Sequence, residues 1–151
     1  MKRLLILLVA ALTLGACATG GSLPDSERLA MYRDAAGEPV GSFHYPGRID
    51  SWIPLGDSAL VVRTRPNQEY LLELMGPCQE LDFAEAITLS HQSGRVHARF
   101  DTVTVRGRGQ FAIPCRILQI RPVEVSTVRQ AERDLRRQIE MVQRPQDSGG
   151  T

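Results

Sequence analysis

Residues 59–74, Ala-Leu-Val-Val-Arg-Thr-Arg-Pro-Asn-Gln-Glu-Tyr-Leu-Leu-Glu-Leu, decide the fold. Ala59–Thr64 is a short run dominated by apolar and β-branched side chains, Pro66-Asn67-Gln68 supplies turn chemistry, and a second apolar run covers Glu69–Leu74. Upstream, Ile49–Leu55 is separated from Ala59 by Gly56-Asp57-Ser58, so three strands in a meander are expected. Downstream come Ala86–Ser90, a turn at Gln92-Ser93-Gly94, one long strand over Val96–Arg106, and a last strand from Phe111 through Cys115 to about Val125. About six strands, several apolar on both faces, predict a mainly β domain: a small antiparallel barrel or sandwich. Helices are expected at its two ends. Pro24–Ala36 reads as a short N-terminal helix, with Ser22 or Asp25 as cap and Gly37 as its stop. The second is an amphipathic C-terminal helix over 127–142. Thr127 and Gln130 form its capping box, and Val128, Ala131, Leu135, Ile139 and Val142 form one apolar stripe.

With 151 residues the chain holds one domain, which the element pattern places at 24–143, followed by a polar tail at 144–151. Its 18 basic and 17 acidic side chains provide no strong field for nucleic acid, so no nucleic-acid partner is expected.

The amino terminus reads as an address. Met1-Lys2-Arg3 is cationic, Leu4–Leu14 is apolar and too short for a membrane span, and Gly15 and Ala16 are small. Residues 1–16 therefore form a signal peptide. Leu14-Gly15-Ala16-Cys17 resembles the lipobox of bacterial lipoproteins. That resemblance implies cleavage before Cys17, a diacylglyceryl group on its sulfur and an acyl chain such as palmitate on its amine. Several acyl chains anchor a protein where one binds only marginally. Residues 17–23 become a lipidated tether, and Ala18 after the cysteine points to the outer membrane, facing the periplasm. The alternative is an ordinary secreted protein with a cysteine near its cleavage site.

With Cys17 given to lipid, Cys78 and Cys115 remain, and in an oxidising compartment two cysteines most simply pair. A metal site using His44, His91 and His97 stays open, although those residues have no local ligand spacing and no metal is expected. Cys-x-x-Cys, Gly-x-Ser-x-Gly, phosphate-loop and dinucleotide motifs are absent, so no catalytic residue and no cofactor is assigned. Among the acids, Asp50, Glu80, Asp82 and Asp101 lie near strand ends or turns, where bonding to backbone amides is their common role. The candidate binding residues are Trp52, Tyr70, Asp101, Arg106 and Arg108. The aromatic pair suits a binding platform if exposed and a core if buried. Arg106-Gly107-Arg108-Gly109 suits an anion-binding turn or a cationic hairpin tip.

The segment Gly76-Pro77-Cys78-Gln79-Glu80-Leu81-Asp82-Phe83 follows Tyr70-Leu71-Leu72-Glu73-Leu74 and precedes Phe100-Asp101-Thr102-Val103 and Cys115-Arg116-Ile117. From about Val40 to Val123 this pattern resembles a family of small bacterial envelope lipoproteins whose domain has no known function. The resemblance implies the Cys78–Cys115 pair. It implies no second bridge, because Phe43 or His44 and His97 stand where some relatives carry further cysteines, and it brings no catalytic residue. The expected function is a lipid-anchored, non-enzymatic binding or structural module with an envelope protein partner. The alternative is a small periplasmic hydrolase or ligand-binding barrel using Asp101, Glu80 and His97.

Overall fold

The computed structural model describes residues 23–107 and 112–143. The expected signal peptide at 1–16, Cys17, Arg108 and the expected tail at 144–151 all lie outside the described residues.

The elements run α1 (Asp25–Ala35), β1 (Ser42–His44), β2 (Ser51–Pro54), β3 (Ala59–Arg65), β4 (Gln68–Leu74), a 3₁₀ turn at Leu81–Phe83, β5 (Ala86–Leu89), β6 (Arg95–His97), β7 (Thr102–Arg106), β8 (Ala112–Val123) and α2 (Val125–Gln143). Six strands form one antiparallel sheet in the order β2-β3-β4-β8-β7-β5, while β1 and β6 pair separately. The fold is thus mainly β, with a helix at each end, as the apolar runs imply.

Strand β8 makes the sheet curl. Its first half, Ala112–Arg116, pairs with β7, and its second half, Ile117–Val123, pairs with β4. The register slips between Glu73 and Leu74, whose partners are Gln119 and Ile117, so Leu118 is an extra residue on β8. A bulge of this kind bends the strand and increases its twist. The result is a half-barrel, an open form of the small antiparallel barrel that the strand pattern implies. Chain 36–40 runs beside the far half of β8, through Ala36 opposite Val123 and Val40 opposite Ile120. It then feeds β1, which with β6 lays Phe43 and Val96 over the inner core.

Alternation along β3 and β4 builds two cores. Leu60, Val62 and Leu72 join Val103, Val105, Ile117 and Ile120 on the inner face. Ala59, Val61 and Leu71 lie on the outer face under Leu29 and Tyr32 of α1 and Val128 of α2. The unbroken burial of Ala59–Val62 records a strand covered on both sides. At about 1.5–3 kcal/mol per buried large aliphatic side chain, both faces are needed in so small a domain.

Cys78 is buried beside Leu81 and joined to Cys115. The bond staples segment 75–84, which crosses from the end of β4 to β5, onto β8. Closing a loop with a sequence separation of 37 restricts the unfolded chain by about 4 kcal/mol in the chain-entropy model.

Three expectations need correction. The long strand over Val96–Arg106 is two strands, divided by a turn in which Arg99 takes φ 69°. Helix α2 begins at Val125, two residues before the expected capping box; Ser126 Oγ bonds Glu124, and Gln130 bonds Asp134. Helix α1 starts after Pro24 without a side-chain cap, its acidic Asp25 and Glu27 facing the positive end of the helix dipole.

Candidate functional site

The backbone turn between β6 and β7 gathers Ser90, His97 and Asp101. Asp101 is 3% exposed. Its Oδ1 accepts a bond from Ser90 Oγ at 2.6 Å, and its Oδ2 accepts one from the His97 backbone N–H at 2.7 Å, with His97 Nδ1 3.3 Å away. Ser90 Oγ accepts the Thr102 N–H at 2.9 Å, and the Asp101 N–H returns to the His97 carbonyl. Burial pushes the Asp101 carboxyl up, but the bonds from Ser90 and His97 outweigh it and hold the group below the usual carboxylate range.

This trio contains the residue types of a hydrolase without its geometry. A nucleophilic serine needs an imidazole to take its proton. Here the serine proton is given to the carboxylate, and the carboxylate separates serine from histidine. What the arrangement does is fasten β6 to β5 and β7. Glu80 is not part of it: a Cβ on Gly107 would lie 3.0 Å from Glu80 Oε2, which puts Glu80 beside Gly107, beyond the other end of β7. The six residue steps from Asp101 to Gly107, along β7, separate the two ends by about 20 Å. Asp101 and His97 are brought together, and Glu80 is left apart.

Trp52 and Tyr70 are neighbours across one strand. Trp52 lies opposite Val62, Val62 opposite Tyr70, and Tyr70 opposite Pro122, so the four form a row across β2, β3, β4 and β8. Both aromatics are half-buried and pack on the inner core. Phe43 of β1 stacks on Tyr70. One side of Tyr70 also lines a cleft of about 410 Å³ with Gln68, Glu69, Gly37, Pro122 and Glu124. Glu69, buried at 6% exposure, is neutralised there by Arg63, whose Nε bonds its Oε1 at 2.6 Å. Sequence reasoning missed this cleft, because its walls come from three separated stretches of chain.

Arg106 is exposed at the end of β7. His44 and His91 are exposed and His97 is half-buried; among the described residues no three His, Cys, Asp or Glu side chains are grouped to hold a metal ion. The Asp82 carboxyl is raised by desolvation and by Asp25 and Asp57, against the pull of Arg28 and of the Gly56 backbone. No helix among the described residues is long and apolar enough to cross a membrane.

Fold and site together define a small, disulfide-stapled β domain whose most buried carboxylates serve its own structure. The chain belongs to a family of unknown function, DUF6491, whose pattern matches residues 1–138. No curated protein and no solved structure matches it.

Proposed function

We propose that the protein is a lipid-anchored envelope lipoprotein, held in the outer membrane through Cys17 and facing the periplasm, where its β domain is a non-enzymatic binding or structural module for an envelope protein. The observation that carries the anchor is the order of features before Cys17: cationic start, apolar Leu4–Leu14, small Gly15 and Ala16, then cysteine. The Cys78–Cys115 bond supports an oxidising compartment. Support for a non-enzymatic role comes from Asp101, whose carboxylate is occupied by Ser90 and His97. The cleft beside Tyr70 supports a second reading, a small-ligand site, in which an aromatic wall and the polar side chains of Gln68 and Glu124 orient a ligand.

Mass spectrometry of the amino-terminal peptide from the membrane fraction tests the anchor. The expected peptide begins at Cys17 and carries the diacylglyceryl and acyl masses, and Cys17→Ser releases the protein from the membrane. An unmodified amino terminus in the soluble fraction overturns it. Photo-crosslinkers at Arg106 and Arg136 then test the module. One dominant, anchor-dependent protein adduct supports it; lipid adducts alone favour the ligand reading.

A further inference from the structure

The two edges of the six-stranded sheet are finished differently. At one edge, the bond from Leu55 N–H to the Ala59 carbonyl fixes the phase of the β2–β3 ladder. Hydrogen-bonded pairs alternate along such a ladder, so the peptide groups of Trp52 and Pro54 point away from the sheet. Proline has no N–H, and this edge is blunted as natural sheets commonly blunt theirs. At the other edge, the bond from Ser90 N–H to the Thr102 carbonyl fixes the phase of β5 against β7. Ile87 and Leu89 then turn both their N–H and C=O outward. Among the described residues no strand lies beyond β5, and Ala86–Leu89 contains no proline, charge or bulge.

We propose that β5 pairs antiparallel with β5 of a second copy of this chain, joining two half-barrel sheets into one continuous sheet across a twofold axis. The register follows from the outward groups. Placing Thr88 on the axis sets Ile87 opposite the other copy's Leu89 and Leu89 opposite its Ile87, so all four outward N–H groups find carbonyls. A shift by one residue would place outward groups against inward ones. The same register places Ala86 opposite Ser90. The facing side chains at 86, 88 and 90 are exposed. Small side chains meet along the outer face, and a threonine meets a threonine on the axis. No like charges oppose one another, which is the self-complementarity that a twofold interface requires. The pairing is independent of the lipid on Cys17.

Cysteine placed on the axis tests this directly. Residues facing each other at a non-hydrogen-bonded position have Cα atoms about 4.5 Å apart, within reach of a disulfide. Full-length chain carrying Thr88→Cys, oxidised in its membrane, should give about tenfold more covalent homodimer than chain carrying Thr104→Cys, one strand inside the sheet, or the unsubstituted chain. Thr88→Lys, which sets two cations face to face at an exposed position, should convert the solubilised full-length protein from dimer to monomer in sedimentation with unchanged circular dichroism. Equal crosslinking at Thr88→Cys and Thr104→Cys, a native monomer at every concentration, or Thr88→Cys adducts with a different protein would each overturn the pairing.

Discussion

Phe43 and Tyr70 lie ring over ring, centroids 4.2 Å apart and planes 18° from parallel. The stack fastens β1 to the main sheet at the end where Tyr70 meets the cleft. Phe43 is 3% exposed, and Phe43→Ala should lower stability by about 3–5 kcal/mol through the cavity it leaves. In a double-mutant cycle by urea denaturation, Phe43→Leu and Tyr70→Leu should couple by about 1 kcal/mol, the contribution of the rings beyond their buried area.

Asp101 should be the most sensitive acid in the molecule. Its folded carboxyl lies below the usual range, so the stability it adds is complete above the unfolded value near 3.8 and is lost as pH falls through the folded value. Asp101→Ala leaves the Ser90 hydroxyl and the His97 N–H without an acceptor and should cost about 3 kcal/mol at neutral pH. The variant's stability curve should also be flatter below pH 4 than that of the unsubstituted protein. An unchanged acid limb, measured by thermal unfolding from pH 2 to 7, would remove the carboxylate from this role.

Asp82 has the opposite sign. Burial, Asp25 and Asp57 raise its carboxyl, so the folded protein binds this proton more tightly than the unfolded chain does. The ionised group therefore weakens folding at neutral pH, and the loss is relieved as pH falls toward 3.8. Asp82→Asn keeps the shape of the side chain and removes the charge. A higher melting temperature at pH 7, with the difference shrinking on acidification, is the expected result.

The hydroxyl of Thr64 is buried without a hydrogen-bond partner at the end of β3, where the register slips between Arg63 and Arg65. Thr64→Val removes the unsatisfied group and keeps the branched shape favoured in strands. It should add about 1 kcal/mol to the unfolding free energy. A loss of that size would place a bound water on the hydroxyl.

The meander from Ser51 to Leu74 was legible because each strand announces itself locally and each turn carries its own chemistry. The segment Ser42–His44 was not: three residues have no periodicity, and what holds them is Val96 and Tyr70, far along the chain. The break between β6 and β7 was hidden because no glycine or proline marks it. Arg99 takes the left-handed conformation there, and Asp101 supplies from its side chain the bonds that a turn would normally draw from its backbone. Of the two carboxylates read as turn caps, Asp101 accepts a backbone N–H, that of His97. The cleft beside Tyr70 and the open edge of β5 depend on strand order, and local spacing carries no record of order. Cys78 and Cys115 were readable by counting, on the expectation that Cys17 goes to lipid and that the remaining two thiols meet an oxidising compartment.

Strand β8 has a further consequence, in time. It supplies the rail on which β4, β7 and chain 36–40 all dock, and it carries one half of the disulfide. Synthesis delivers it after every other strand. Until β8 is available, the β2-β3-β4 meander and the β5-β7 pair are two fragments with no strand ladder between them, and Cys78 has no native partner. Long-range closure of this kind is slow compared with the forming of local turns. The chain must therefore wait in pieces for its final strand, and substitutions in Ala112–Val123 should slow folding more than equal losses of stability elsewhere.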